Sequence, residues 1–277
     1  MTVLRPATVR DAFRFYERAP DAIPLAGGTD FMVLWNAGEA NQRTILDLSR
    51  LRSWRRIRET SSGVVAGALA THWELQNHPV MASAFPLLVA ACGTVGGRQI
   101  QTRGTLGGNI ANASPAGDTF PPLAVYEARV RLRSAEGTRL VPFLDVFAGV
   151  KKTTLGRGEL IESVEIDFGR RATRQLFRKV GTRAASAISK IVASGLLWLG
   201  RDGRVREIRF ALGSMAPTVR RLHAAEAFLA GKRPEAKVVE EAVALLEKDV
   251  SPIDDLRSTR EYRLAVSRSL FRDFLSQ

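Results

Sequence analysis

Apolar residues fall in short clusters set apart by glycine, proline and charge, which predicts many brief strands and helices. Ile23 to Ala26 reads as a strand and runs into Gly27-Gly28. Thr29 or Asp30 can then cap a helix that reaches about Ala37 and stops near Gly38. Thr44 to Leu48 and Gly63 to Leu69 follow as a second and a third strand. Thr71 is placed to cap a helix beginning near Glu74, and Pro86 suits the first turn of a helix over Leu87 to Cys92.

The stretch from Gly93 to Pro122 breaks this rhythm. It holds Gly93, Gly96, Gly97, Gly104, Gly107, Gly108 and Gly117, so its backbone is expected either to approach a ligand closely or to adopt positive φ angles. Alternation then resumes. Ala128 to Arg133 reads as a half-buried strand that turns at Glu136-Gly137 into Thr138 to Val141. Leu160 to Phe168 is a further strand, with an irregularity at Ser163. The arginine-rich Gly169 to Thr173 marks a boundary. Beyond it, Ser189 to Leu199 and Val205 to Leu212 flank the hairpin signal Arg201-Asp202-Gly203. Three helices are expected last: Arg220 to Ala230 ending at Gly231, Glu235 to Lys248, and Ser258 to Leu275. Strands followed by segregated helices predict an α+β C-terminal domain.

Composition narrows the class. The 277 residues are 45% hydrophobic and 25% charged, which suits a folded chain and argues against disorder. The longest apolar stretch, Ile191 to Leu199, falls well short of the roughly 20 residues a membrane helix needs. Met1 to Arg10 has no apolar segment of signal-peptide type, so a cytoplasmic protein is expected. One cysteine, Cys92, excludes an internal disulfide and an iron–sulfur or zinc site built from four cysteines of this chain. The net charge of +13 raises a nucleic-acid reading. The excess is dispersed arginine, with no basic run interleaved with aromatics, so acidic protein surfaces are equally good partners.

Among candidate motifs, the two glycine-bearing loops stand out: Leu25-Ala26-Gly27-Gly28-Thr29-Asp30 and Thr105-Leu106-Gly107-Gly108-Asn109-Ile110. Each offers peptide N–H groups without a shielding Cβ, and together they can embrace a pyrophosphate; as a bland alternative, both are tight turns. Neither is a Rossmann or P-loop fingerprint. His72-Trp73-Glu74 imitates the H-x-E of zinc deaminases, but the required cysteines are missing and His78 has the wrong spacing. No serine sits in G-x-S-x-G, and His223 falls on an amphipathic helix.

The two loops and their flanks resemble the FAD-binding medium subunit of the molybdenum hydroxylases, the xanthine dehydrogenase and carbon monoxide dehydrogenase family. The specific match is the run from Thr105 to Asp118, TLGGNIANASPAGD. Lys179 to Arg183 with Ala187 to Ser189, and Ser258 to Arg263, resemble parts of the family's C-terminal domain.

The resemblance implies an α+β chain with a two-part FAD-binding region over 1–170 (parts about 1–55 and 56–170) and a C-terminal flavoprotein domain over 171–277. It implies FAD here, with [2Fe–2S] clusters and the molybdenum cofactor on partner subunits; neither glycine loop holds a histidine or cysteine for a flavin linkage, so the FAD is expected to be non-covalent. The redox chemistry would belong to the flavin, with no catalytic side chain and no metal in this chain. Leu25, Ala26, Gly27, Gly28, Thr29, Asp30 and Phe31 would hold one side of the pyrophosphate and nucleotide. Thr105, Leu106, Gly107, Gly108 and Asn109 would hold the other. Asp118 would hydrogen-bond a flavin hydroxyl or ring edge, Ile161 would offer a backbone contact to the isoalloxazine, and Lys179 would be a nearby cation. Val95 departs from the aromatic of the xanthine dehydrogenase branch. A free-standing flavin oxidoreductase and a basic nucleic-acid-binding protein are the rival readings.

Overall fold

The computed structural model describes residues 2–39, 43–183 and 186–276. The chain begins with β1 (Thr2–Leu4), α1 (Val9–Arg18), β2 (Ile23–Leu25), α2 (Phe31–Asn36) and β3 (Thr44–Asp47). The strands form a parallel sheet in the order β1-β3-β2. Thr8 caps α1 by accepting from the Asp11 N–H, and the helix lays Ala12 and Phe13 on a small core with Leu46, Leu51 and Trp54. Neither β1 nor α1 was expected from the sequence. The strand has three residues, and the helix buries only two of its ten.

The middle of the chain is built on β4 (Ile57–Glu59), β5 (Gly63–Gly67), and six short helices: α3 (His72–Asn77), α4 (Pro79–Ala84), α5 (Pro86–Cys92), α6 (Arg98–Gln101), α7 (Leu106–Ala111) and α8 (Phe120–Val125). Then come β6 (Arg129–Arg133), β7 (Thr138–Pro142), the small hairpin β8 (Phe147–Gly149) and β9 (Lys152–Thr153), and β10 (Leu160–Asp167). An antiparallel sheet runs β4-β5-β10-β6-β7. Its register shifts between Ile161 and Ser163, where the sequence pattern slipped. Alternate residues Val64, Val130, Val164 and Ile166 face a core shared with Leu75, Leu88, Ile110 and Leu123 from the helices. On the other face, Arg129, Arg131 and Arg133 pair across strands with Asp167, Glu165 and Glu162. These three arginines are compensated by carboxylates.

The last part comprises β11 (Arg174–Val180), β12 (Ile191–Leu199), β13 (Val205–Gly213), β14 (Arg220–Arg221), α9 (His223–Leu229), α10 (Ala236–Ala244) and α11 (Arg260–Ser276). It forms an antiparallel meander, β11-β12-β13-β14. β12 is buried on both faces, which explains its nearly unbroken apolar sequence. One side packs Ile191, Ala193 and Leu197 with Phe210, Phe271 and Phe274; the other puts Leu196 and Trp198 into the core of the preceding region. The expected helix from Arg220 begins three residues later. Arg221 instead forms a two-residue strand, and its guanidinium makes two 2.7 Å bonds with buried Glu226.

Candidate functional site

The first glycine loop follows β2, whose last residue pairs with Asp47. Gly27 packs backbone to backbone on Arg103 and Gly104: a Cβ there would lie 1.9 Å from the Arg103 carbonyl oxygen. Gly28 has φ +77°, a conformation that glycine adopts without penalty. Among the described residues, the N–H groups of Gly27, Gly28, Thr29, Asp30 and Phe31 have no protein partner. These residues are half-exposed or exposed, and Asp30 and Phe31 open α2, where the leading N–H groups lack an intrahelical partner. Five consecutive free donors in a turn form a concavity suited to an anion. None of the six residues of α2, which follows, is buried.

The second loop is built differently. The Leu106 N–H donates to the Ala70 carbonyl (2.9 Å) and the Gly107 N–H to that of Ala68 (2.8 Å). The Gly108 N–H donates to Thr105 Oγ1 (3.1 Å) and the Asn109 N–H to the Thr105 carbonyl (2.9 Å). A Cβ on Gly107 would lie 2.5 Å from Ala68 Cβ, so this glycine is required by close packing on Ala68. Gly108 is exposed; its Cβ would crowd Thr105 Oγ1 at 2.8 Å and come within 3.9 Å of Ala26 Cβ. The Asn109 side-chain oxygen accepts from Thr119 Oγ1 at 2.6 Å. The two loops therefore lie side by side, with the donors of the second spent on the fold.

His72 lies behind the seam. Its N–H donates to the Gly104 carbonyl, and a Cβ on Gly104 would meet His72 Cδ2 at 3.3 Å and Thr29 Oγ1 at 3.5 Å. Burial lowers the imidazole pKa to about 4, so the ring is neutral at pH 7. Glu74, the other half of the H-x-E signal, closes a capping box with Thr71. No group of His, Cys, Asp and Glu suited to a metal occurs among the described residues. Cys92 is buried, and its thiol pKa is pushed up by burial and by Asp118.

Asp118 and Lys179 meet, joining the helical region to β11. Lys179 Nζ donates to Asp118 Oδ2 at 2.6 Å and to the Thr94 carbonyl at 2.9 Å, with both charged side chains buried. Ser189 Oγ donates to Asp118 Oδ1 at 2.5 Å. Burial raises the Asp118 carboxyl pKa, opposed by the Lys179 charge and by hydrogen bonds from Lys179, Ser189 and Thr94. Lys179 is thus no solvated strand-end residue. Val95 follows Thr94 beside this pair. Ile161 lies on β10 with its side chain in the main core and stands opposite Leu132 of β6 in the ladder. Sequence reasoning gave Thr94 no role and placed Ser189 only in a family motif, because their partners lie 25 or more positions away; His72 has the packing place that its spacing favoured over a metal. A groove of about 880 Å³ lies elsewhere, over the ion-paired face of the five-stranded sheet, and touches neither loop.

A loop of free backbone donors on an α+β scaffold with a C-terminal meander suits a chain that holds an anionic cofactor. Residues 1–167 match the family described as the FAD binding domain in molybdopterin dehydrogenase, and residues 175–277 match the CO dehydrogenase flavoprotein C-terminal domain. The chain belongs to this family of FAD-binding medium chains. It is 28% identical over 267 residues to the glyceraldehyde dehydrogenase medium chain of Sulfolobus acidocaldarius, covering 96% of this chain and 94% of that one. To the xanthine dehydrogenase FAD-binding subunit of Escherichia coli O157:H7 it is 28% identical over 277 residues, covering 99% and 94%. A solved carbon monoxide dehydrogenase from Hydrogenophaga pseudoflava superposes with a TM-score of 0.93 at 28% identity, over 100% of this chain and 96% of that chain. The chain is an oxidoreductase subunit that binds FAD. No helix among the described residues is long and apolar enough to cross a membrane.

Proposed function

We propose that this chain carries electrons through non-covalently bound FAD, from iron–sulfur clusters on one partner subunit to an external acceptor. A second partner would hold the molybdenum cofactor and the substrate. In this reading 1–170 forms the FAD-binding region, in parts of about 1–55 and 56–170, and 171–277 the flavoprotein C-terminal domain, in a cytoplasmic complex. FAD supplies the ability to accept and release electrons. The chain supplies placement. The free N–H groups of Gly27 to Phe31 donate to the diphosphate oxygens, Gly108 and Asn109 border it, and the Asp118–Lys179 pair with the Ile161 backbone bounds the flavin end. The relatives differ in the substrate their names state, so substrate choice belongs to a partner and not to these residues.

The observation that carries this assignment is the run of five partnerless donors at residues 27–31. A branched side chain at Gly28 is disfavoured at φ +77°, although the space around it is open. Gly28→Val is expected to yield a folded, colourless chain, as read by circular dichroism and flavin absorbance. Stoichiometric yellow FAD in that variant would remove the first loop from the site.

A further inference from the structure

Asp30 places a carboxylate beside its own free N–H, within the run assigned to the diphosphate. A negative charge there opposes a dianionic ligand. The structure answers it with two residues from elsewhere in the chain. Asn112, at the C-terminal end of α7, donates through Nδ2 to Asp30 Oδ1 at 3.1 Å. Lys151, from the turn between β8 and β9, donates through Nζ to Asn112 Oδ1 at 2.5 Å and lies 3.8 Å from Asp30 Oδ1. The lysine is delivered by an unusual backbone: Lys151 has φ +55°, Ala113 has φ +45°, and the Lys151 N–H donates to the Ala113 carbonyl at 3.0 Å. Two non-glycine residues in left-handed conformation, bonded to each other, hold the ammonium against the first loop. The side chains of Lys151 and Asp30 are each about half exposed, so the pair contributes little to global stability.

We propose that Lys151 is a positioning residue for the cofactor. With Asn112 it tethers and neutralises Asp30, which closes the first glycine loop on the second and lets the free N–H groups meet the diphosphate unopposed. This inference rests on the placement of the diphosphate at residues 27–31. Its consequence is specific: Asp30 acts against binding, and Lys151 matters only because Asp30 is there.

The test is a double-mutant cycle on the full chain stripped of flavin, with FAD as the probe and flavin fluorescence as the readout of Kd and release rate. Lys151→Ala is expected to weaken binding about two- to fivefold, the range of exposed ion interactions, with an unchanged Tm of the flavin-free chain. Asp30→Asn is expected to bind at least as tightly as the parent, and Lys151→Ala/Asp30→Asn to return to the Asp30→Asn value. The Lys151→Ala defect should shrink in high salt. A double variant as weak as Lys151→Ala alone, or parental Kd in Lys151→Ala, overturns the tether. Gly28→Val separates the two failures. If it loses FAD while Lys151→Ala keeps parental affinity, the site stands and the tether is wrong; if it retains FAD, the site itself is wrong.

Discussion

Residues 25–31 and residues 105–109 carry the same double glycine, yet their backbone donors have opposite fates. In the first loop five successive N–H groups meet no partner among the described residues, and Gly27 exists to let the chain lie flat on Arg103 and Gly104. In the second, four successive N–H groups are consumed by Ala70, Ala68 and Thr105, and Gly107 exists to admit Ala68. On the proposed reading, one loop is kept open for an anion, whereas the other is the wall behind it. Glycine pairs thus mark close approach in general, and only the hydrogen-bond account distinguishes approach to a ligand from approach to the fold.

If the second loop and its continuation are structural, damage there should appear in stability before it appears in flavin content. The largest effect is expected from Lys179→Met, which leaves the Asp118 carboxylate buried without its cation at the junction with β11. Losing one partner of a buried pair costs about 3–5 kcal/mol, readable in urea unfolding. A change confined to the flavin potential, with unaltered unfolding, would return Lys179 to the role of a simple cation near the ring.

Next comes acid, acting through His72. Its folded-state pKa of about 4 lies below the ordinary 6.5, so the unfolded chain binds the proton first as pH falls. The contribution of the neutral ring is whole above pH 6.5 and is lost progressively toward pH 4, about 3 kcal/mol in all. The parent should therefore lose more stability than His72→Phe over that window. Equal slopes would place the ring outside the seam between the loops.

A smaller effect separates the two glycine pairs directly. Gly107→Ala forces a methyl onto Ala68 and is expected to cost about 1–3 kcal/mol of stability. The same change at Gly28 meets nothing closer than 3.7 Å and carries only the strain of its positive φ, about 1 kcal/mol. Matched melting temperatures for the two alanine variants would erase the contrast.

Elements whose pattern reflects a single buried face were legible in the sequence. The alternation from Leu160 onward located β10 with its irregularity, and Arg201-Asp202-Gly203 located a hairpin whose Gly203 has φ +71°. β11 was hidden because Leu176 and Phe177 are adjacent rather than alternating, and Arg174 and Lys179 fill two of its partly buried positions with long stems. α7 and α8 were hidden because Gly107, Gly108, Pro121 and Pro122 argue against helix; each occupies a first turn, where proline is tolerated and tertiary partners satisfy the donors. The composition of the proposed site was visible as two loops, Asp118 and Lys179. The free or spent state of each N–H was not, because it is set by Ala68 and Ala70, which nothing in either loop announces.

Amide hydrogen exchange of the full chain, with and without FAD, tests the central contrast most directly. The amides of Gly27 to Phe31 should exchange rapidly in the flavin-free chain and gain protection on binding, while those of Leu106 to Asn109 should be protected in both states. New protection at residues 106–109 with none at residues 27–31 would reverse the roles of the two loops and contradict the account.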